Sequence, residues 1–289
     1  MLLNAEEFLP IGGAQKERRK PGDYIQDGLI YCGKCHKKKQ TKITYAGQSH
    51  IVPCLCDCEA AQEEEKIREV QQREEMMRIE RLRQASLMPG KFKNISFADY
   101  RVRKENERAY KIATAYVHQF KQNEKTNYGL MFYGPVGTGK SFTAACIANA
   151  LLEKGVSTVM TSFVKILQDI APGTNADESA YISSLNAARL LIIDDLGAER
   201  NTDYAQEKVY DIIDSRVRAN KPLIITTNLK MSEMLETQEI KYKRIYDRIF
   251  EACLPVKIDG TSFRMEQAAE RQEAMRRFFD KAEEVENGD

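Results

Sequence analysis

The stretch from Gly134 to Ser141 constrains this chain most, because it reads GPVGTGKS and fits the phosphate-binding pattern G-x-x-x-x-G-K-[ST]. Glycine at three of these positions lets the backbone bring successive N–H groups onto phosphate oxygens. Lys140 supplies positive charge for the β- and γ-phosphates, and the Ser141 hydroxyl is a ligand for Mg²⁺. The sequence therefore predicts a nucleotide site. We expect its contacts to come from Gly134, Pro135, Val136, Gly137, Thr138, Gly139, Lys140, Ser141 and Phe142.

The segments on either side of this loop have the character that the motif requires. Residues 128–133 are mostly apolar and predict a short buried strand, and residues 142–154 predict a helix that Gly155 ends. The order is therefore strand, loop, helix. No N-K-x-D motif for recognising guanine occurs, which favours ATP with Mg²⁺ as the ligand.

Two further apolar runs end in polar side chains. Residues 190–193 predict a strand buried on both faces, as in a parallel sheet, and Asp194 and Asp195 follow it. Beside a Mg²⁺-nucleotide, Asp194 can hold the metal through water, and Asp195 can orient or deprotonate the attacking water. Residues 223–227 predict another buried strand, and Asn228 at its tip can hydrogen-bond the γ-phosphate or that water.

Composition limits the class of protein. The 289 residues suggest two domains or one domain with an appendage, and their charges nearly cancel to +1, so no global field marks a nucleic-acid binder. No apolar run reaches 18 residues and no signal peptide is evident, so we expect a cytoplasmic protein without a membrane segment.

Five of the seven cysteines lie close together near the N-terminus, in the patterns C-x-x-C and C-x-C-x-C. In a reducing compartment this arrangement favours a structural zinc site over disulfides or free thiols. Residues 42–45 and 50–53 predict two short strands that bring the cysteine pairs together. The expected ligands are Cys32, Cys35, Cys54 and Cys56, with Cys58, His36 or His50 as alternatives.

The predicted organisation has four parts. Residues 1–58 form a small zinc-ribbon-like domain whose first 30 residues are a mobile arm, and residues 59–89 form a charged helical linker. Residues 90–265 form an α/β P-loop core with a parallel sheet flanked by helices. Only 31 residues follow Ile258, the end of the last predicted strand, so the lid is reduced. Residues 266–289 are a charged helix or tail.

The motifs GPVGTGKS, LLIIDDLGAE, KPLIITTN and KRIYDRI, followed by an arginine after Gly260, resemble in this order the AAA+ ATPases of the DnaC/DnaI helicase-loader family. The resemblance covers about residues 90–265, and the cysteine cluster resembles the zinc-containing N-terminal domain of the DnaI type. It implies the following roles: Lys140 and Ser141 as Walker A, Asp194 and Asp195 as Walker B, Asn228 as sensor 1, Arg248 or Arg244 as an arginine finger acting on a neighbouring copy, and Arg264 as a sensor 2-like residue.

The same resemblance implies an ATPase that self-associates, binds the replicative hexameric helicase through its N-terminal region, and helps place it on single-stranded DNA. Lys165 and its neighbours are then candidates for the DNA contact. Asp195 is one methylene shorter than the glutamate usual in AAA+ proteins, so we expect weak hydrolysis before assembly. Two alternatives are an IstB-like transposition helper and a zinc-dependent nucleotide-binding adaptor without turnover.

Overall fold

The computed structural model describes residues 19–171 and 177–286. It divides the chain into two compact units, and the division falls between Met76 and Met77, inside a long helix.

The first unit contains two antiparallel hairpins. Their strands are β1 (Tyr24–Gln26), β2 (Leu29–Tyr31), β3 (Gln40–Tyr45) and β4 (Gln48–Pro53). The second hairpin contains the strand pair predicted over residues 42–53. The first corrects the prediction of a mobile arm, because residues 24–31 are paired and Leu29 and Ile30 are buried. The remainder of the predicted arm, residues 1–18, lies outside the described residues.

The turn of the first hairpin explains why it forms. Asp27 and Gly28 both have positive φ, 53° and 73°, as a tight two-residue hairpin turn requires. Asp-Gly is a favoured pair for such a turn, because glycine has no Cβ to clash and aspartate tolerates the left-handed region.

A buried ion pair joins the two hairpins. Lys39 Nζ lies 2.8 Å from Asp23 Oδ2, and both side chains are 5% exposed. The hydrogen bond from Lys39 lowers the pKa of Asp23 to about 2. Asp23 also accepts hydrogen bonds from the N–H groups of Lys20 and Gly33, so its buried charge is well compensated.

Helix α1 (Asp57–Ala85) covers most of residues 59–89, for which the sequence predicts a charged helical linker. Within the second unit, its last turns are tied to the core domain. Leu82 packs against the apolar core, and Arg78 donates a hydrogen bond to the Gly155 carbonyl at 3.3 Å.

The second unit is built on a five-stranded parallel sheet of order β6-β7-β8-β5-β9, which confirms the predicted α/β class. Its strands are β5 (Gly129–Tyr133), β6 (Thr158–Ser162), β7 (Leu190–Leu196), β8 (Leu223–Thr227) and β9 (Cys253–Lys257). Helices pack on both faces of this sheet. The α-helices that follow α1 in the described part of the chain are α2 (Glu107–His118), α3 (Phe120–Thr126), α4 (Lys140–Glu153), α5 (Phe163–Asp169), α6 (Glu178–Ala187), α7 (Asp203–Arg218), α8 (Met231–Leu235), α9 (Ile240–Ala252) and α10 (Phe263–Glu286).

Alternate residues of each strand enter two separate apolar clusters. Leu190 and Ile192 of β7 belong to the cluster shared with α2 and α4, whereas Leu191 and Ile193 belong to the cluster shared with α5, α7 and α9. This two-sided burial is the reason that β7 and β8 are almost continuously apolar.

Two helical segments differ from the prediction. Apolar residues recur on one face over residues 105–120 and predict one helix there, whereas in the structure α2 ends at His118 and the separate helix α3 follows it. Residues 163–185 are expected to be mainly helical with a break at Pro172-Gly173. This segment contains α5 and most of α6, and the expected break lies outside the described residues. Among the helices of the described part of the chain, none combines the length and apolar character needed to cross a bilayer.

Candidate nucleotide site and cysteine cluster

The predicted phosphate-binding loop connects the end of β5 at Tyr133 to the start of α4 at Lys140. Gly134 and Gly137 have φ values of 143° and 83°, which side-chain-bearing residues rarely adopt. A Cβ on Gly134 would lie 2.1 Å from the Ile258 carbonyl oxygen, and one on Gly137 would lie 2.0 Å from Ser262 Oγ. The loop therefore needs glycine both for its conformation and for its close contact with the residues that follow β9.

Lys140 is buried at the first position of α4 and is 4% exposed. Its Nζ donates hydrogen bonds to the carbonyl oxygens of Gly134 and Pro135, at 2.9 and 2.7 Å. Burial lowers the pKa of Lys140, while the charges of Asp195 and Asp194 act in the opposite direction. Bound phosphate oxygens would add the anionic partner that a buried ammonium group favours.

Asp194 and Asp195 lie within β7 and do not follow it, which corrects the predicted strand end. The pairing of β7 with β8 shifts register between Ile193 and Leu196, and Asp195 has a φ of 57° at this irregularity. Such a bulge redirects side chains and is common next to active sites.

The Asp194 carboxylate faces the start of α4. It accepts a hydrogen bond from the Ser141 hydroxyl, and burial raises its pKa. A partly buried carboxylate beside a serine hydroxyl is a suitable oxygen donor set for Mg²⁺. Asn228, at the end of β8, donates to Asp195 Oδ1 at 3.3 Å.

A cavity of about 320 Å³ lies above these groups. Lys140, Asp195, Asn228 and Arg264 all line it, together with the loop residues from Val136 to Phe142. Its volume is at the lower end of the range usual for ligand pockets. A single cavity is therefore lined by four residues predicted from the sequence to share one nucleotide site. Asp194 does not line it, but it forms a hydrogen bond with Ser141, which does.

One wall of this cavity was not predicted from the sequence. Residues between Lys91 and Asn106 form it, and Tyr100 lies there with its hydroxyl 2.9 Å from Thr143 Oγ1. The Tyr100 and Phe142 rings are 5.8 Å apart, so the wall offers aromatic surface to a flat ring such as a nucleobase. The pattern Ser96-x-x-Asp99, which forms reciprocal capping hydrogen bonds here, is a local signal that could have indicated an ordered segment.

Arg244 and Arg248 are not among the described residues that line the cavity. Arg248 pairs with Asp214 at 2.9 Å and with Glu251 at 2.7 Å. The guanidinium of Arg244 lies 4.4 Å from the centroid of the Tyr210 ring. Both arginines are thus on the α7–α9 face, away from the pocket of their own chain.

In the first unit, Cys32, Cys35 and Cys56 bring their sulfur atoms within 4.8 Å of one another, and they are the only such group of potential metal ligands among the described residues. Cys58 lies beside them, since its N–H and its thiol both form hydrogen bonds with Cys35 Sγ. Cys54, one of the predicted ligands, is not in this group, and its thiol donates to the Lys38 carbonyl oxygen at 3.5 Å.

The chemistry of this cysteine cluster fits a zinc ion. Cys35 Sγ accepts backbone N–H groups from Cys58 and Lys37, and these bonds lower the pKa of Cys35 to about 6. Stabilised thiolates are the form in which cysteine binds Zn²⁺. All seven cysteines of the chain lie within the described residues and carry free thiols.

The comparisons with known proteins agree with this site. The family model described as "IstB-like ATP binding protein" matches residues 55–271. The replicative helicase loader DnaC of Escherichia coli (strain K12) is 31% identical over 160 residues, which are 54% of this chain and 63% of that protein. The replicative helicase loader DnaI of Bacillus subtilis (strain 168) is 28% identical over 149 residues, 47% of each chain. This chain therefore spans less than two thirds of the length of these relatives.

The fold is also similar to a solved structure. A crystal structure described as that of "the DnaI" has a TM-score of 0.53 and 26% sequence identity, and the similarity covers 62% of this chain and 98% of that one.

Proposed function

This chain belongs to the family of IstB-like ATP binding proteins, and on that premise we propose that it is a cytoplasmic, ATP-dependent loader of the replicative hexameric helicase. In this role it binds the helicase and helps place it on single-stranded DNA. The observation that carries the proposal is the convergence of Lys140, Asp195, Asn228 and Arg264 on one cavity. The relatives named as replicative helicase loaders support the choice of this activity over others that use the same core.

Each side chain of the cavity has a proposed part in AAA+-type ATP hydrolysis. Lys140 and the loop N–H groups hold the phosphates, and Ser141 and Asp194 hold Mg²⁺, which would neutralise charge developing on the phosphates. Asp195 orients the attacking water or accepts its proton. The Asn228 amide is 3.3 Å from Asp195 and fixes that carboxylate or the water itself.

The two arginines on the α7–α9 face are proposed to act on a neighbouring copy. An arginine finger supplied across an interface stabilises transition-state charge on the γ-phosphate. Because Arg248 is held by Asp214 and Glu251 in the single chain, assembly would have to offer it a stronger anionic partner. We expect hydrolysis to be weak until the ATPase domains self-associate.

The N-terminal region is proposed to be the helicase-binding part, comprising residues 1–58 as a zinc-ribbon-like domain with the linker of residues 59–89. Zinc would supply folding free energy to a unit that buries few apolar side chains. Cys32, Cys35, Cys56 and Cys58 would hold it. Lys165, exposed at the start of α5, remains a proposed DNA contact.

A steady-state ATPase assay tests the proposal. We expect the wild-type chain to hydrolyse ATP slowly alone and faster with a hexameric helicase and single-stranded DNA. The Lys140→Ala variant should show no ATP hydrolysis, either alone or with these partners. No stimulation by either partner would favour the adaptor without turnover. Stimulation by duplex DNA alone would favour a transposition helper of the IstB type.

A further inference from the structure

The first turn of α10 forms one side of the nucleotide cavity, although the helix itself runs on as a charged segment. Phe263 donates its N–H to the Gly137 carbonyl at 3.0 Å, and Arg264 and Gln267 line the cavity. Besides this backbone hydrogen bond, contacts to the side chains of the same turn can hold Arg264 at the cavity.

Arg103 provides that attachment. Its Nη1 and Nη2 lie 2.7 and 2.5 Å from the two carboxylate oxygens of Glu266, and Nη1 also donates to Thr261 Oγ1 at 3.0 Å. The guanidinium carbon lies 4.1 Å from the centroid of the Phe263 ring. A two-pronged ion pair combined with ring stacking fixes both the distance and the orientation of the helix end.

The Arg103 backbone is itself anchored to the opposite wall of the cavity. Its N–H donates to Asn106 Oδ1 at 2.7 Å, and the Asn106 amide donates to the Arg101 carbonyl at 3.1 Å. Asn106 is 2% exposed and, like Arg101, lines the cavity. Arg103 therefore joins the wall that precedes β5 to the helix that follows β9.

The electrostatics of the cavity favour such an attachment. Arg264 is close enough to Lys140 to disfavour the charged form of that lysine. Two cations facing one cavity repel each other until an anion binds between them, so Arg264 would otherwise tend to move away. Holding it in place in advance lowers the cost of organising the site when nucleotide arrives.

We propose that Arg103 and Glu266 form a latch that positions Arg264 over the nucleotide, and that both are positioning residues for ATP binding. The inference rests on the proposed nucleotide site and adds the contact that completes it. The pair is separated by 163 positions in the chain, so only the fold brings its two members together.

Charge reversal provides the test, with binding of a fluorescent ATP analogue and Mg²⁺ to the full chain as the measurement. Arg103→Glu and Glu266→Arg should each weaken binding on the order of tenfold, because each loses the ion pair and places like charges in contact. The double variant Arg103→Glu/Glu266→Arg should recover most of the affinity. Unchanged affinity in the single variants, or a double variant no better than the weaker single one, would overturn the latch.

Two controls separate this role from a general effect on folding. Arg277 and Glu273 form an exposed ion pair at 3.1 Å further along α10, so Arg277→Glu should leave affinity unchanged. In an Arg264→Ala background, Arg103→Glu should cause little further loss, whereas a purely structural role would give additive losses. Lys140→Ala must abolish binding of the ATP analogue. If it does not, the proposed nucleotide site itself is wrong. If Lys140→Ala abolishes binding but Arg103→Glu leaves the affinity unchanged, only the latch is refuted.

Discussion

Thr226 Oγ1 on β8 lies 2.5 Å from Asp194 Oδ1 on β7. The same oxygen accepts the Asp195 N–H at 2.9 Å, so the hydroxyl proton must point towards the Asp194 carboxylate. One threonine thus fixes both aspartates at the register shift between the two strands. It holds the carboxylate that we assign to Mg²⁺ without adding charge to the site.

Replacing this threonine should affect both stability and metal use. Thr226→Val removes one hydrogen bond from the partly buried Asp194 carboxylate and leaves the Asp195 N–H without its partner, so we expect a loss of about 1–3 kcal/mol in the free energy of unfolding. We also expect a higher Mg²⁺ concentration to be needed for nucleotide binding. Denaturant titration and a Mg²⁺ titration measure the two effects.

Thr161→Val is a matched control on β6, the strand on the other side of β7 from β8. Thr161 is 4% exposed, but its Oγ1 has no hydrogen-bond partner among the described residues. Valine has nearly the same shape, so this change should leave stability unchanged or slightly raised. Equal losses in both variants would show that the Thr226 hydrogen bonds contribute nothing specific.

The cysteine cluster predicts a sharp difference between two similar variants. Metal analysis of the purified full chain should find wild-type zinc content in Cys54→Ser and a loss of zinc in Cys58→Ser, because the Cys58 thiol contacts Cys35 whereas Cys54 faces Lys38. Variants of Cys32, Cys35 or Cys56 should behave like Cys58→Ser. Retention of zinc by Cys58→Ser together with its loss from Cys54→Ser would restore the ligand set expected from spacing.

The arginine finger predicts complementation between two inactive chains. Arg248→Ala keeps its nucleotide pocket, and Lys140→Ala keeps its arginine, so each should be nearly inactive alone while a mixture regains part of the ATPase rate. Nucleotide affinity of Arg248→Ala should match that of the wild type. A mixture of Lys140→Ala with Arg244→Ala, measured in the same way, shows which of the two arginines acts as the finger. If neither mixture regains activity, the finger assignment on α9 is wrong.

Local sequence was sufficient for the parts of the site that are contiguous. The phosphate-binding loop, β7 and β8 each combine an apolar run with polar residues at fixed positions, and parallel strands bring those positions to one edge of the sheet. The parallel sheet and the long charged helix followed from the same kind of local periodicity. The Asp27-Gly28 turn was also a local signal, but a polar segment without a long apolar run was interpreted as a mobile arm.

Contacts between distant segments could not be predicted in this way. The pattern C-x-C-x-C does not say which two sulfur atoms face the first pair, because that depends on how the chain leaves β4. Arg103 and Glu266 look like ordinary surface charges until the fold brings them together. Arg216, fully buried and bonded to carbonyl oxygens that include those of Ala188 and Pro222, is likewise indistinguishable in sequence from a solvated helix-end cation.

We propose above all that a triphosphate and its magnesium bind in the cavity shared by Lys140, Asp195, Asn228 and Arg264. Calorimetric titration of Mg²⁺-ATP into the full chain and into Lys140→Ala tests it most directly, with Lys165→Ala as an exposed-lysine control. We expect saturable binding by the wild type and Lys165→Ala, and none by Lys140→Ala under the same conditions. Equal binding by all three chains would contradict it.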